Sequence, residues 1–302
     1  MDLLDRYTGC LLGLAAGDAV GTAVEFRSRG TFRAVTDMTG GGPFALPPGA
    51  WTDDTSLALC LATSLQEKGR FDATDQMERY WRWYREGYLS STGKCFDIGN
   101  TTRAALRRFN DTGEPFSGPT SPNTAGNGSI MRLAPVVLFY FPDHDEVIKY
   151  ALESSRTTHA APECLQACQL LGNILFLALK GAGKQEILLS DHVESYPSPG
   201  VARIAGGSYF SKPESSICGT GYVVESLEAA LWCFWSTDSF EEAILKAANL
   251  GDDADTTAAI CGQVAGVYYG ESGIPLRWLE RLVMQQEIKD LAKGLHQYNH
   301  PE

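Results

Sequence analysis

No stretch of this chain runs for about 18 apolar residues without interruption, so no membrane span is expected. Its start, "MDLLDRYTGCLLGLAAGDAV", puts acids first and lacks the basic-then-apolar layout of a signal peptide. Basic charge is scarce: 25 Lys and Arg stand against 37 Asp and Glu, a net charge of −12, and nothing there neutralises phosphates over a broad face. This argues against nucleic acid as a partner, and any anionic ligand must be held locally by backbone amides, a metal or a few basic side chains. Metal-type cysteine spacing is missing too. The eight cysteines include no Cys-x-x-Cys pair, and most lie in apolar runs such as "LALCLATSL" and "AAICGQVAG". They read as buried reduced thiols of a cytoplasmic protein.

Period-two alternation is nearly absent as well, and the apolar pattern is helical almost everywhere. "DEVIKYALESS" sets Val147, Ile148, Ala151 and Leu152 on one stripe, and "SFEEAILKAANLG" opens with Ser239 and Glu242 at capping-box spacing. "PECLQACQLLGNILFLALKG" starts on Pro162 and ends at Gly181. Further helices are expected near 3–19, 54–68, 72–86, 99–109, 131–141, 222–236, 255–269 and 276–294. With 302 residues, 44% of them hydrophobic, the chain reads as one all-α domain over 1–302 with no fixed-period repeat. Three long Gly- and Pro-rich loops interrupt it, at 37–50, 110–128 and 191–221, and each runs into a motif. That predicts one mouth built by loops on a helical scaffold.

Two of those motifs are acidic. "WTDDTSLAL" sets Asp53 beside Asp54 at the start of an apolar helix. Two carboxylates about 4 Å apart repel by roughly 4 kcal/mol at an effective dielectric of 20, so a chain that keeps them together usually supplies a cation or a helix N-terminus. "LGDDADTTAAICGQVAGVYYG" repeats the chemistry with Asp252, Asp253 and Asp255 beside Thr256, and its helix is lined with Ala and Gly that let another helix approach closely. N-capping is the ordinary reading of either cluster alone, but a cap needs only one such residue. Oxygen-only donors in this number suit Mg²⁺ or Mn²⁺ and suffice for two ions. In "GLAAGDAVGTAVEF", Gly17-Asp18 is expected to break an apolar helix, and Glu25 is the one acid of an apolar run. Gly126 and Gly128 of "AGNGSIMRLAPV" free the backbone to point amides at an anion. His159 in "RTTHAAP" reads by itself as a hydrogen-bonded structural histidine, and Tyr222 in "GTGYVVESLEAALW" as a core aromatic.

Taken together, these stretches and "DIGNTTRAAL" resemble the ADP-ribosylglycohydrolase family, over roughly residues 5 to 285. The resemblance implies an all-α single domain with a loop-lined cleft holding a dinuclear Mg²⁺ or Mn²⁺ centre, and removal of ADP-ribose from modified side chains. It implies metal ligands at Thr52, Asp53, Asp54, Asp253, Asp255 and Thr256. Asp252 falls where glycine is common in the family and is not counted among them. Glu25, or one of the ligand aspartates Asp54 and Asp253, is implied to orient the attacking water. Asn127, Gly128, Ser129, Met131 and His159 are implied to lie against the diphosphate and ribose, and Gly221 and Tyr222 at the adenosine or ribose end. Asp97 at the rim favours an arginine leaving group, whose guanidinium fork a carboxylate accepts bidentately. The expected partner is an ADP-ribosylated protein or ADP-ribose, and the expected state a monomer or weak oligomer. A serine or O-acyl linkage, or a non-enzymatic crystallin-like role, are the competing expectations.

Overall fold

Two helices of this chain have no polar face. Over Leu3–Gly21 (α1) every residue from Tyr7 onward is buried, and over Ala254–Tyr269 (α12) burial runs unbroken from Ala254 to Val267. A helix that is small and apolar all round belongs inside the protein. In the computed structural model, which describes residues 1–189 and 193–299, these two lie antiparallel at the centre. Their contact is backbone on backbone. A Cβ added at Gly9, Gly13, Gly17 or Gly21 would stand 2.1–2.4 Å from the carbonyl oxygens of Gly266, Gly262, Ala258 and Ala254 in turn. Steps of four keep these glycines on one face of α1, and each carbonyl sits where only hydrogen fits.

The other helices surround this pair. Asp53–Lys68 (α2), Ala73–Glu86 (α3), Asn100–Thr112 (α4) and Ala134–Tyr140 (α5) come first, then His144–Arg156 (α6), Pro162–Leu179 (α7) and the short Lys184–Leu188 (α8) and Pro199–Ala205 (α9). Val223–Trp235 (α10) and Phe240–Ala248 (α11) precede α12, and Leu276–Leu279 (α13) and Gln285–Asn299 (α14) follow it. Helices α7, α10 and α11 pack on α12, while α2, α5 and α14 pack on one another and on α1. The outer helices are amphipathic: α3 buries Met77, Tyr80 and Trp83 together with the Asp75–Arg79 ion pair, and exposes Glu78, Arg82, Arg85 and Glu86. Among the described residues there is no strand, only isolated bridges such as Gly126 to Tyr222 and Ser28 to Gly251. By length and composition alone, Leu3–Val24 and Pro162–Leu179 could cross a membrane, yet 94% and 61% of these stretches are buried inside the fold. Six cysteines are buried, and among the described residues no disulfide forms.

Three expectations change. Gly17-Asp18 does not break α1, because Gly17 is a contact point with α12 and the helix runs on to Gly21. The helix expected over 276–294 is two helices. Between them Val283 N–H donates to Gly49 O, Val283 O accepts from Trp51 Nε1, and Met284 turns through φ +56°, so the chain stops to fasten the 37–50 loop. The helix expected over 131–141 spans only 134–140, since Gln263 bonds the carbonyls of Ile130 and Met131 and the amide of Ala134 from α12. The 191–221 loop contains α9, and its residues 191 and 192 lie outside the described residues.

The close contact of α1 and α12 predicts a sharp mutational contrast. Gly13→Ala must displace backbone at Gly262 and is expected to cost at least about 1–3 kcal/mol, the usual scale of overpacking. Gly172→Ala on α7 meets side chains only at 3.5–4.0 Å and is expected to be neutral or stabilising, by up to about 1 kcal/mol. Urea unfolding of both variants measures the difference.

Candidate active site

The antiparallel pair fixes where two acid clusters fall. The start of α12 lies beside the end of α1, and α2 begins against the same end of α1 through Asp18. Asp18 is wholly buried. Its carboxylate accepts from Thr52 N–H at 2.9 Å, Thr55 N–H at 3.0 Å and the Thr55 hydroxyl at 2.6 Å. It thus serves α2 as a cap lent by another helix, while Thr52, in the cap position, makes no capping bond of its own. Asp253, in the cap position of α12, makes none either. Neither acid cluster is consumed by capping.

The clusters meet instead. The Thr52 hydroxyl lies 3.3 Å from Oδ2 of both Asp54 and Asp255, and the Thr256 hydroxyl lies 3.3 Å from Asp54 Oδ2. Glu25, just past the 3₁₀ turn that follows α1, joins Asp97 and Asp255 with ligand oxygens all within 4.8 Å of one another. Burial first, and then the charges of Asp97 and Asp253, push Glu25 up to about 10. Burial likewise raises Asp97 to about 7 and Asp18 to about 6, and holds Asp53, Asp54 and Asp255 well above the usual carboxylate range. Glu25 Oε2, Asp54 Oδ1 and Asp255 Oδ1 are buried without a hydrogen-bond partner. Buried carboxylate oxygens left without a donor fit a hard divalent cation, which would supply the missing partner and reverse the repulsion.

These groups open on a cleft of about 840 Å³. Glu25, Asp53, Asp97, Asp253, Asp255 and Thr256 line it, with Thr52 and Asp54 buried behind them. Asn127, Gly128, Met131, His159 and Gly221 line the same cleft, and Asn127 Nδ2 donates to Asp253 Oδ2 at 2.8 Å. Two expected residues do not. Ser129 is buried and takes a weak bond from Cys168 Sγ. Tyr222 lines a neighbouring hollow with Thr124 and Glu163, and its hydroxyl donates to Glu163 Oε2 at 2.6 Å.

His159 is buried beneath Gly128, where a Cβ would stand 2.7 Å from the imidazole ring. Burial, then the charge of Arg132, lowers its pKa to about 3, so the ring is neutral at ordinary pH. The buried Arg132 donates to Gly128 O and to the Thr158 hydroxyl, each at 2.7 Å, and that hydroxyl lies 2.8 Å from His159 Nδ1. While accepting from Arg132, the Thr158 hydroxyl can give its own hydrogen to Nδ1, an arrangement that places the ring proton on Nε2. Sequence reasoning missed Asp18 and Arg132 as supports and Phe26 and Phe44 on the cleft, and it singled out the stretch at Asn100–Arg103, which also lines the cleft, without giving those residues a role. The start of α4 has no side-chain cap and lines the cleft from Gly99 to Arg103, which leaves its first amides available to an anion there.

Asp18 and Asp54 are predicted to behave oppositely in metal-free protein near neutral pH. Asp18→Ala strands the amides of Thr52 and Thr55 and is expected to cost about 2–4 kcal/mol. Asp54→Asn removes a like charge from the cluster and is expected to leave stability at or above that of the wild type. Denaturant unfolding in EDTA measures both.

Known proteins resemble this chain in sequence and in fold. The sequence matches the ADP-ribosylglycohydrolase family over residues 1–302. It is 48% identical to the ADP-ribosylarginine hydrolase Tri1 of Serratia proteamaculans (strain 568), covering 99% of this chain and 81% of that one. It is 33% identical to the ADP-ribosyl-[dinitrogen reductase] glycohydrolase of Rhodospirillum rubrum, covering 94% of this chain and 92% of the relative. A solved structure described as an ADP-ribosylglycohydrolase-related protein complex superposes with a TM-score of 0.88 at 45% identity, over 98% of both chains. On sequence and on fold alike, the chain belongs to the ADP-ribosylglycohydrolase family.

Proposed function

We propose that this protein hydrolyses the N-glycosidic bond between ADP-ribose and a modified arginine side chain, with two Mg²⁺ or Mn²⁺ ions held between the starts of α2 and α12. One observation carries the reading: two oxygen-only clusters, 203 residues apart between Thr52 and Asp255, share one cleft with carboxylate oxygens that lack partners. The name of the Serratia relative supports arginine as the bearer of the linkage.

Thr52, Asp53, Asp54, Asp253, Asp255 and Thr256 would hold the ions. Bound there, divalent cations supply polarisation of ribose oxygens and a water acidic enough to attack. The residues of the chain do the rest. Asp253, steadied by Asn127 Nδ2, keeps its second oxygen free for the site. The Glu25 carboxylate faces the same space as Asp97 and Asp255, where it orients the water and takes its proton on a carboxylate oxygen. The bond to the anomeric carbon breaks through an oxocarbenium-like state, and the side chain departs as a guanidine whose N–H groups donate to Asp97 and which becomes guanidinium again by taking the proton that Glu25 drew from the water. ADP-ribose is a dianion entering an acidic protein of net charge −12, so its diphosphate needs local donors. The Gly128 amide, His159 with its ring proton on Nε2 and the open start of α4 supply donors on this cleft, while the amides of Gly126 and Asn127 are spent on Thr124 O and Gly221 O. The hollow beside Tyr222 takes the adenosine end.

The test is release of ADP-ribose from arginine-, serine- and O-acetyl-linked substrates, with and without divalent metal. The arginine conjugate is expected to be cleaved, and only with metal. Asp54→Asn and Asp255→Asn are each expected to lower turnover by at least about 100-fold and to lose heat of metal binding in calorimetry. Turnover in EDTA, or full activity of either variant, contradicts the reading.

A further inference from the structure

We propose that Phe26 and Phe44 form an aromatic wall that stacks on the guanidinium plane of the modified arginine and so selects the leaving group. This rests on the arginine reading above. Phe26 is 68% exposed although its neighbour Glu25 is only 2% exposed. It also sits at φ +61°, a left-handed conformation that a bulky side chain rarely adopts. The backbone is held there from the acid cluster: Phe26 N–H donates to Asp252 O at 2.7 Å, and Asp252 N–H donates to Arg27 O at 2.8 Å. An exposed phenyl on a strained backbone does not serve the core, and strain kept beside reacting groups points to a role there.

The second ring comes from the 37–50 loop. Phe44 meets Phe26 at 6.4 Å between centroids with the planes 74° apart, and meets Phe96 at 5.1 Å. Phe96 is followed by Asp97, which also turns through φ +61°. Each of the two carboxylates thus adjoins a ring in the sequence, Glu25 next to Phe26 and Asp97 next to Phe96, and of these two rings Phe26 lines the cleft while Phe96 backs Phe44. The loop beneath is anchored, since Asp37 accepts from Trp278 Nε1 at 2.6 Å and from Arg281 at 2.8 Å.

Glu25, Asp97, Phe26 and Phe44 all line the one cleft. A guanidinium is a flat cation with N–H groups around its edge and a weakly hydrated face. Carboxylates suit the edge and aromatic rings the face. The cleft's own guanidinium, that of Arg103, donates to Ile98 O at 3.0 Å and to Asn100 Oδ1 at 3.3 Å, and so is already engaged. A serine linkage has neither the flat face nor the charge, so this wall would discriminate against it.

The experiment compares kcat/KM on an ADP-ribosyl-arginine peptide with the Kd for free ADP-ribose, both with metal present. Phe26→Leu is expected to lower kcat/KM about tenfold while leaving the ADP-ribose Kd and the Tm unchanged. Phe26→Tyr, which keeps the ring, is expected to stay within about twofold of wild type, and Phe44→Leu to fall between the two. Wild-type kcat/KM in Phe26→Leu overturns the wall, as does an equal loss in ADP-ribose affinity. Failure of the wild type to cleave the arginine conjugate overturns the arginine reading itself, and the two failures are distinct.

Discussion

Everything at this site depends on how closely α1 and α12 approach. Four glycines at steps of four press on the carbonyls of Gly266, Gly262, Ala258 and Ala254. Helices in contact through ordinary side chains lie about 8–10 Å apart, and this pair has no side chains at its contact points to keep it so far apart. Because the pair is antiparallel, the end of α1 is locked to the start of α12. Asp18 then reaches from α1 to the first turn of α2. The register of one helix pair thus sets the distance between carboxylates far apart in sequence, and the core, not the loops, carries the precision of the site.

That precision is kept against electrostatic cost. Six carboxylates from four segments, Glu25, Asp53, Asp97, Asp252, Asp253 and Asp255, line one cleft, with Asp54 behind them. Burial and mutual repulsion lift Glu25, Asp53, Asp54, Asp97 and Asp255 toward the protonated form. Two helix N-termini offset part of this with their dipoles, yet several carboxylate oxygens still lack partners. A hydrophobic replacement would be cheaper for the fold, and such conflicts between local stability and arrangement concentrate at functional sites.

Much of the fold was legible because helices announce themselves by period. The stripes of α6 and α11 and the turn residues around α7 give those elements nearly to the residue. The two Asp-Thr clusters were legible for a different reason, since two neighbouring acids before an apolar run ask for a cation. Asp18 was misread because one polar residue in an apolar helix looks like a break until its partners, 34 and 37 residues away, are seen. The gap between α13 and α14 has no Gly or Pro to mark it and arises from tertiary bonds to Gly49 and Trp51. Phe26 and Phe44 carry no local signal at all, because an exposed phenyl and a buried one are spelled alike.

The central claim is that the register of α1 on α12 builds a cation site between the starts of α2 and α12. It is tested most directly by diffraction from crystals grown with Mn²⁺, with data collected at the manganese edge. The account predicts anomalous peaks for two ions bounded by Thr52, Asp53 and Asp54 on one side and Asp253, Asp255 and Thr256 on the other. Manganese absent from this space at saturating concentration, or found only elsewhere on the protein, would contradict it.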